Sequence, residues 1–205
     1  PGGGAAEPVA GAAEPSAAAA APLRVGVVCS GVKSSLPPHP VNVVSGLMAY
    51  LSAAAPGSRV LGFRSGPKGF LAGRCRELSS EEVDLYLNQC GVELLGYGSS
   101  AEAEAEVGTE AGIARAAEVC AEHRLDGLVV IAGPKNLRWV AELAAGFLER
   151  GCGTTVVGVP YSKNLNLYVP KYLAITLGFD SGRRMLSEVV GSIAVDSMSS
   201  KKYRR

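Results

Sequence analysis

The sequence lacks most of what a membrane, a metal or a nucleic acid would ask of it. No apolar run reaches the roughly 20 residues that cross a bilayer, so no membrane span is expected. No C-x-x-C pair occurs among the five cysteines at 29, 75, 90, 120 and 152. With an odd count and no pairing motif, neither a zinc site nor a disulfide frame is expected. The thiols read as reduced and mostly buried in a cytoplasmic protein. Charge is scarce and balanced, 19% of residues with a net of +1, which argues for no nucleic-acid or acidic partner. The basic cluster Lys201-Lys202-Tyr203-Arg204-Arg205 reads as a solvated end. Residues 1–22 contain no Lys or Arg and are mostly Ala, Gly, Pro and Glu. Such a tail cannot bury a core and is expected to be disordered. It has neither the Arg of a transit peptide nor the basic start of a secretory signal. The chain does not open on Met, so its numbering need not start at the natural N-terminus.

What is abundant is apolar surface. Of 205 residues, 47% are hydrophobic, enough for one domain with a sizeable core, expected over 23–205. The stretch Leu125 to Leu148 shows how it is organised. Leu128-Val129-Val130-Ile131 reads as a buried strand that ends at Ala132-Gly133. Leu137, Val140, Ala141, Ala144 and Leu148 then recur at helical spacing. A buried strand, a glycine turn and an amphipathic helix form one unit of a parallel sheet. Ligands of open α/β sheets sit beyond the carboxyl ends of the strands, which directs attention to Gly133-Pro134-Lys135-Asn136.

Other segments fit the same plan. Strands are expected at Leu23–Cys29, Val60–Phe63, Val92–Leu95 and Thr154–Val159, the last one buried. A first helix should bury Val43, Val44, Leu47, Met48 and Leu51 after a Pro-rich loop. Arg64 to Phe70 reads as a polar Gly/Pro loop. Ser79 and Glu82 have capping-box spacing for a helix reaching about Gln89. A helix from Ala101 to Cys120 should turn Ile113, Ala116, Ala117 and Cys120 inward. A final helix, about Gly182 to Met198, carries Met185, Val189 and Ile193 at helical spacing. Alternating strands and helices predict an α/β fold with a mostly parallel, doubly wound sheet.

Nine blocks, in order, resemble the phosphofructokinase family, and in particular its long-chain pyrophosphate-dependent branch. They are VGVVCSG (25–31), NVVSGLMAYL (42–51), GFRSGPKGF (62–70), NQCGVELLGYG (88–98), LDGLVVIAG (125–133), FLERGC (147–152), VVGVP (156–160), LGFDSG (177–182) and SEVVGSIAVDSMSSKKY (187–203). The resemblance implies a glycolytic transferase that moves a phosphoryl group from ATP or pyrophosphate to fructose 6-phosphate with Mg²⁺. It also implies that this chain matches only the first part of a catalytic unit, so the α/β domain is incomplete. Beside this stand the general nucleotide-binding domain, supported by little more than Gly31, since no G-x-G-x-x-G or Walker loop is present, and a structural or regulatory module.

The resemblance places the chemistry in three loops, and all three depart from the family pattern. In the first, Gly31 remains, but Val32 adds a Cβ where phosphate would approach the backbone. Pro37, Pro38 and Pro40 remove N–H donors. In the second, Ala132-Gly133-Pro134-Lys135-Asn136 aligns with a GGDDS-like run, so Pro134 stands at the metal-binding Asp and Lys135 at the donor-discriminating position. In the third, Asn164 and Asn166 stand at the catalytic carboxylates, and an amide is no general base. The implied reading is a pseudoenzyme that holds neither Mg²⁺ nor ATP or pyrophosphate. It would pair with a phosphofructokinase-like partner domain or with itself. Gly31, Gly133, Lys135 and Asn136 remain the candidate ligand-binding residues.

Several residues carry two readings. Lys135, at a helix start, is a ligand for an anionic metabolite or a solvated loop lysine. Trp139 packs at a domain contact or stacks on a ligand. Arg64 and Lys68 contact phosphate or face solvent. His39 and His123 read as surface residues.

Overall fold

The computed structural model describes residues 20–30, 40–88, 92–96, 105–133, 136–160 and 179–199. Their elements run β1 (Arg24–Ser30), α1 (Pro40–Ala54), β2 (Arg59–Phe63), α2 (Gly66–Leu71), β3 (Cys75–Leu78), α3 (Ser80–Asp84), α4 (Val92–Leu95), α5 (Glu110–Glu122), β4 (Gly127–Ala132), α6 (Leu137–Glu149), β5 (Thr155–Pro160) and α7 (Phe179–Ser199). The strands form one five-stranded open sheet in the order β3-β2-β1-β4-β5. β2, β1, β4 and β5 are parallel, and β3 joins β2 antiparallel.

The two faces of the sheet follow from strand alternation. In β1, Val25 and Val27 point into one layer, packed with Val41, Val44 and Leu51 of α1, Val83 of α3, and Leu94 and Leu95 of α4. Val28 points the other way, into a layer with Phe70 of α2, Ile113, Ala116 and Val119 of α5, and Val140, Leu143 and Phe147 of α6. In β4, Leu128 and Val130 join that second layer and Ile131 the first. Both faces are therefore covered, as a parallel sheet of continuous apolar strands requires. Where α5 and α6 meet, Gly146 makes the approach possible: a Cβ there would lie 2.6 Å from Cγ2 of Ile113.

The sheet departs from the sequence reading at its edges. Cys75-Arg76-Glu77-Leu78 is a strand, although its two central charges hide any apolar run. Val92–Leu95 is a helical turn and not a strand. Four residues, three of them apolar, cannot decide between the two by periodicity. Leu94 and Leu95 are buried either way. The expected loop 64–70 contains α2, whose Gly69 sits where any side chain would overlap the Arg64 carbonyl. β5 forms as expected, but it is an edge strand and largely open, with Val157 exposed.

The helices shift less. Ser79 caps α3, accepting the Glu82 N–H at 3.2 Å. The Glu82 carboxylate, which a capping box would turn back to Ser79, pairs with Arg76 at 2.7 Å. α3 itself ends at Asp84, followed by turns to Asn88, and Gln89 lies outside the described residues. α5 starts at Glu110, because the Thr109 hydroxyl caps it by accepting the Gly112 N–H at 3.1 Å. The expected earlier start at 101–104 lies outside the described residues. α6 buries Trp139, Val140, Leu143, Gly146 and Phe147. Of the predicted stripe only Val140 is fully inside, and Leu148 is 83% exposed. Arg138, Glu142 and Glu149 share one side of the helix; on the wide apolar remainder its two aromatic rings have the most surface to remove from water, so they select the face.

α7 is present over the predicted span, with Leu186, Val189, Val190, Ile193 and Met198 exposed and Met185 half-buried.

Candidate functional site

Parallel pairing brings the ends of three strands to one place. Ser30 lies opposite Ala132 in the β1–β4 register, and Ala132 opposite Pro160 in the β4–β5 register. The three segments in which the sequence puts its chemistry therefore leave the sheet side by side, from adjacent strands. Of the residues singled out there, the structure describes Pro40, which is the first residue of α1, and Ala132, Gly133 and Asn136. Gly31, Val32, His39, Pro134, Lys135, Asn164 and Asn166 lie outside the described residues.

Asn136 begins α6 but does not cap it with its side chain. Its backbone N–H donates to the Gly133 carbonyl at 2.8 Å, closing the turn. Its side-chain amide donates from Nδ2 to Ser30 Oγ at 3.0 Å. Ser30 is fully buried, one of two fully or nearly fully buried polar residues among those described. This link joins the end of β1 to the start of α6. The sequence reading named Asn136 and passed over Ser30. The signal was there: Ser30 is the hydroxyl that closes a strand without charge or hydroxyl from Val25 to Cys29, and a buried hydroxyl needs a hydrogen-bonding partner.

Beyond Asn136, the first turns of α6 are apolar inside and neutralised outside. Trp139 is 5% exposed and packs in the α5/α6 core. Its indole Nε1 is buried without a hydrogen-bond partner. Arg138 pairs with Glu142 at 2.8 Å, four residues apart on the helix. Between these residues and the 105–109 segment lies a cleft of about 420 Å³, lined by Gly108, Thr109, Asn136, Arg138, Trp139 and Glu142 among others. Arg64 and Lys68 are exposed at the carboxyl end of β2 and on α2.

His123 is not the surface residue the sequence suggested. It is half-buried at the C-terminus of α5, edge-on to Phe63 with centroids 5.9 Å apart. Cys75 Sγ lies 3.6 Å from both ring nitrogens. A sulfur equidistant from the two in the ring plane would collide with Cε1, so the thiol lies over the imidazole face, away from the line of either N–H. Burial pushes the Cys75 thiol up, and the Arg24 charge draws it partly back. Cys29, Cys75, Cys120 and Cys152 form no disulfide with one another, and Cys90 lies outside the described residues. Burial raises Cys120 to about 12, against a lowering hydrogen bond with Thr154. Among the described residues no three His, Cys, Asp or Glu converge to hold a metal. No described helix is long and apolar enough to cross a membrane.

Comparison with known proteins agrees with this arrangement. The family model Phosphofructokinase matches residues 25–204. Pyrophosphate--fructose 6-phosphate 1-phosphotransferase subunit beta 2 of Arabidopsis thaliana is 34% identical over 181 residues, covering 88% of this chain and 30% of its own length. The pyrophosphate--fructose 6-phosphate 1-phosphotransferase of Treponema pallidum has the same identity and coverage. Subunit alpha 2 of the Arabidopsis thaliana protein is 32% identical over 180 residues, covering 88% of this chain and 28% of its own length. The chain thus spans about 30% of the length of these relatives and resembles their N-terminal part. Among solved structures, phosphofructokinase from Saccharomyces cerevisiae shares the fold with a TM-score of 0.58 at 20% identity, covering 86% of this chain and 24% of its own. Pichia pastoris phosphofructokinase in the T-state gives 0.53 at 17%, covering 72% and 17%. With the sheet order, the aligned strand ends and a family match over nearly the whole length, the chain belongs to the phosphofructokinase family.

Proposed function

We propose that this chain is a glycolytic phosphofructokinase-type domain that has lost phosphoryl transfer and works by pairing with an active phosphofructokinase half in the cytoplasm. One observation carries the first part. The connection from β4 to α6, Gly133-Pro134-Lys135-Asn136, contains no carboxylate, and the side chain described there, that of Asn136, is turned to Ser30. The family reaction uses Mg²⁺ to neutralise charge on the phosphates, and Mg²⁺ takes carboxylate oxygens. The first carboxylate along α6 is Glu142, which is held by Arg138. These residues do not fit a metal. In the third segment, Asn164 and Asn166 stand where the family resemblance puts the carboxylate base. Lys135 is left as the candidate for an anionic metabolite.

Pairing is supported by two further observations. Relatives bear the names of alpha and beta subunits. α7 carries a row of exposed apolar side chains, Leu186 at 66% and Ile193 at 61%, of the kind that marks an interaction surface.

The decisive experiment incubates the purified chain with fructose 6-phosphate, Mg²⁺ and either pyrophosphate or ATP. No fructose 1,6-bisphosphate above the protein-free background is expected with either donor. Turnover with one of them would overturn the proposal.

A further inference from the structure

We draw no further inference here: the strongest candidate, the cleft of about 420 Å³ between the 105–109 segment and the first turns of α6, adjoins the loop already described, its Arg138 and Glu142 are spent on each other, and nothing in the structure shows what would fill it.

Discussion

Asn136 reaches from the start of α6 to the buried hydroxyl of Ser30, 106 residues earlier in the chain, at 3.0 Å. The bond ties the end of β1 to the start of α6, so the helix that follows β4 is held to the neighbouring strand as well as to its own. Replacing Ser30 with Ala removes the acceptor without adding bulk. A buried hydrogen bond of this kind contributes about 1 kcal/mol, and its loss costs more when a buried group is left behind. For a chain of this size, thermal unfolding of Ser30→Ala is expected about 2–6 °C below the parent. An unchanged melting temperature would show that the link holds nothing.

Mg²⁺-ATP should bind weakly. A micromolar dissociation constant corresponds to about −8 kcal/mol, and the first loop offers prolines and Val32 in place of glycine amides. Titration calorimetry is expected to give no micromolar isotherm with Mg²⁺-ATP. Inorganic phosphate or citrate binding, if measured, should disappear in Lys135→Ala. Persistence of that binding in the variant would remove Lys135 from the candidate site.

Cys120 gives a pH dependence with a definite sign. Its thiol ionises near 9.0 when unfolded and near 12 when folded. The raised folded value means that its contribution to stability is complete below about pH 9. That contribution is lost as pH rises toward 12, because the unfolded state gives up its proton first. The slope from this one group is at most about 1.4 kcal/mol per pH unit. Alkaline unfolding should therefore be less steep in Cys120→Val, followed by circular dichroism between pH 8 and 11. Identical slopes in the two proteins would assign the alkaline loss elsewhere.

The isolated chain should self-associate through α7. Leu186, Val189, Val190 and Ile193 lie within two turns of one another and are all exposed. Light scattering should report species above 21 kDa. The double variant Leu186→Lys, Ile193→Glu should shift them toward monomer. A cooperatively melting monomer that ignores an active phosphofructokinase half would argue against pairing.

Much of this was legible from residue pattern alone. β1 and β4 were found because a run such as Leu128 to Ile131, apolar without a break, has few uses other than a strand covered on both sides. The capping of α3 by Ser79 followed from chemistry at fixed spacing. Edges were harder. β3 is such an edge: Glu77 is exposed, and Arg76 is half-buried with its charge held by Glu82 at 2.7 Å, so no apolar run marks the strand. The buried face of α6 was misassigned because only the side shared by Arg138, Glu142 and Glu149 is marked as outward, and which stripe of the wide apolar remainder faces inward depends on Ile113 fitting over Gly146, a tertiary event. At the site, the alignment of strand ends was implied by a parallel sheet. The Ser30–Asn136 link was not, since nothing local to either residue points to the other.

The shared height of Ser30, Ala132 and Pro160 has a consequence for how such a protein can change. Each of the three segments starts from its own strand, anchored by its own ladder, so a substitution or an added residue in one is a local event. Lengthening the nine-residue step between Ser30 and Pro40 even twofold adds only about 0.6 kcal/mol of closure entropy. A barrel stave does not notice what is nailed to its rim. Reactive groups at the mouth can be exchanged one at a time, at little thermodynamic cost, while the sheet below keeps its selection for packing.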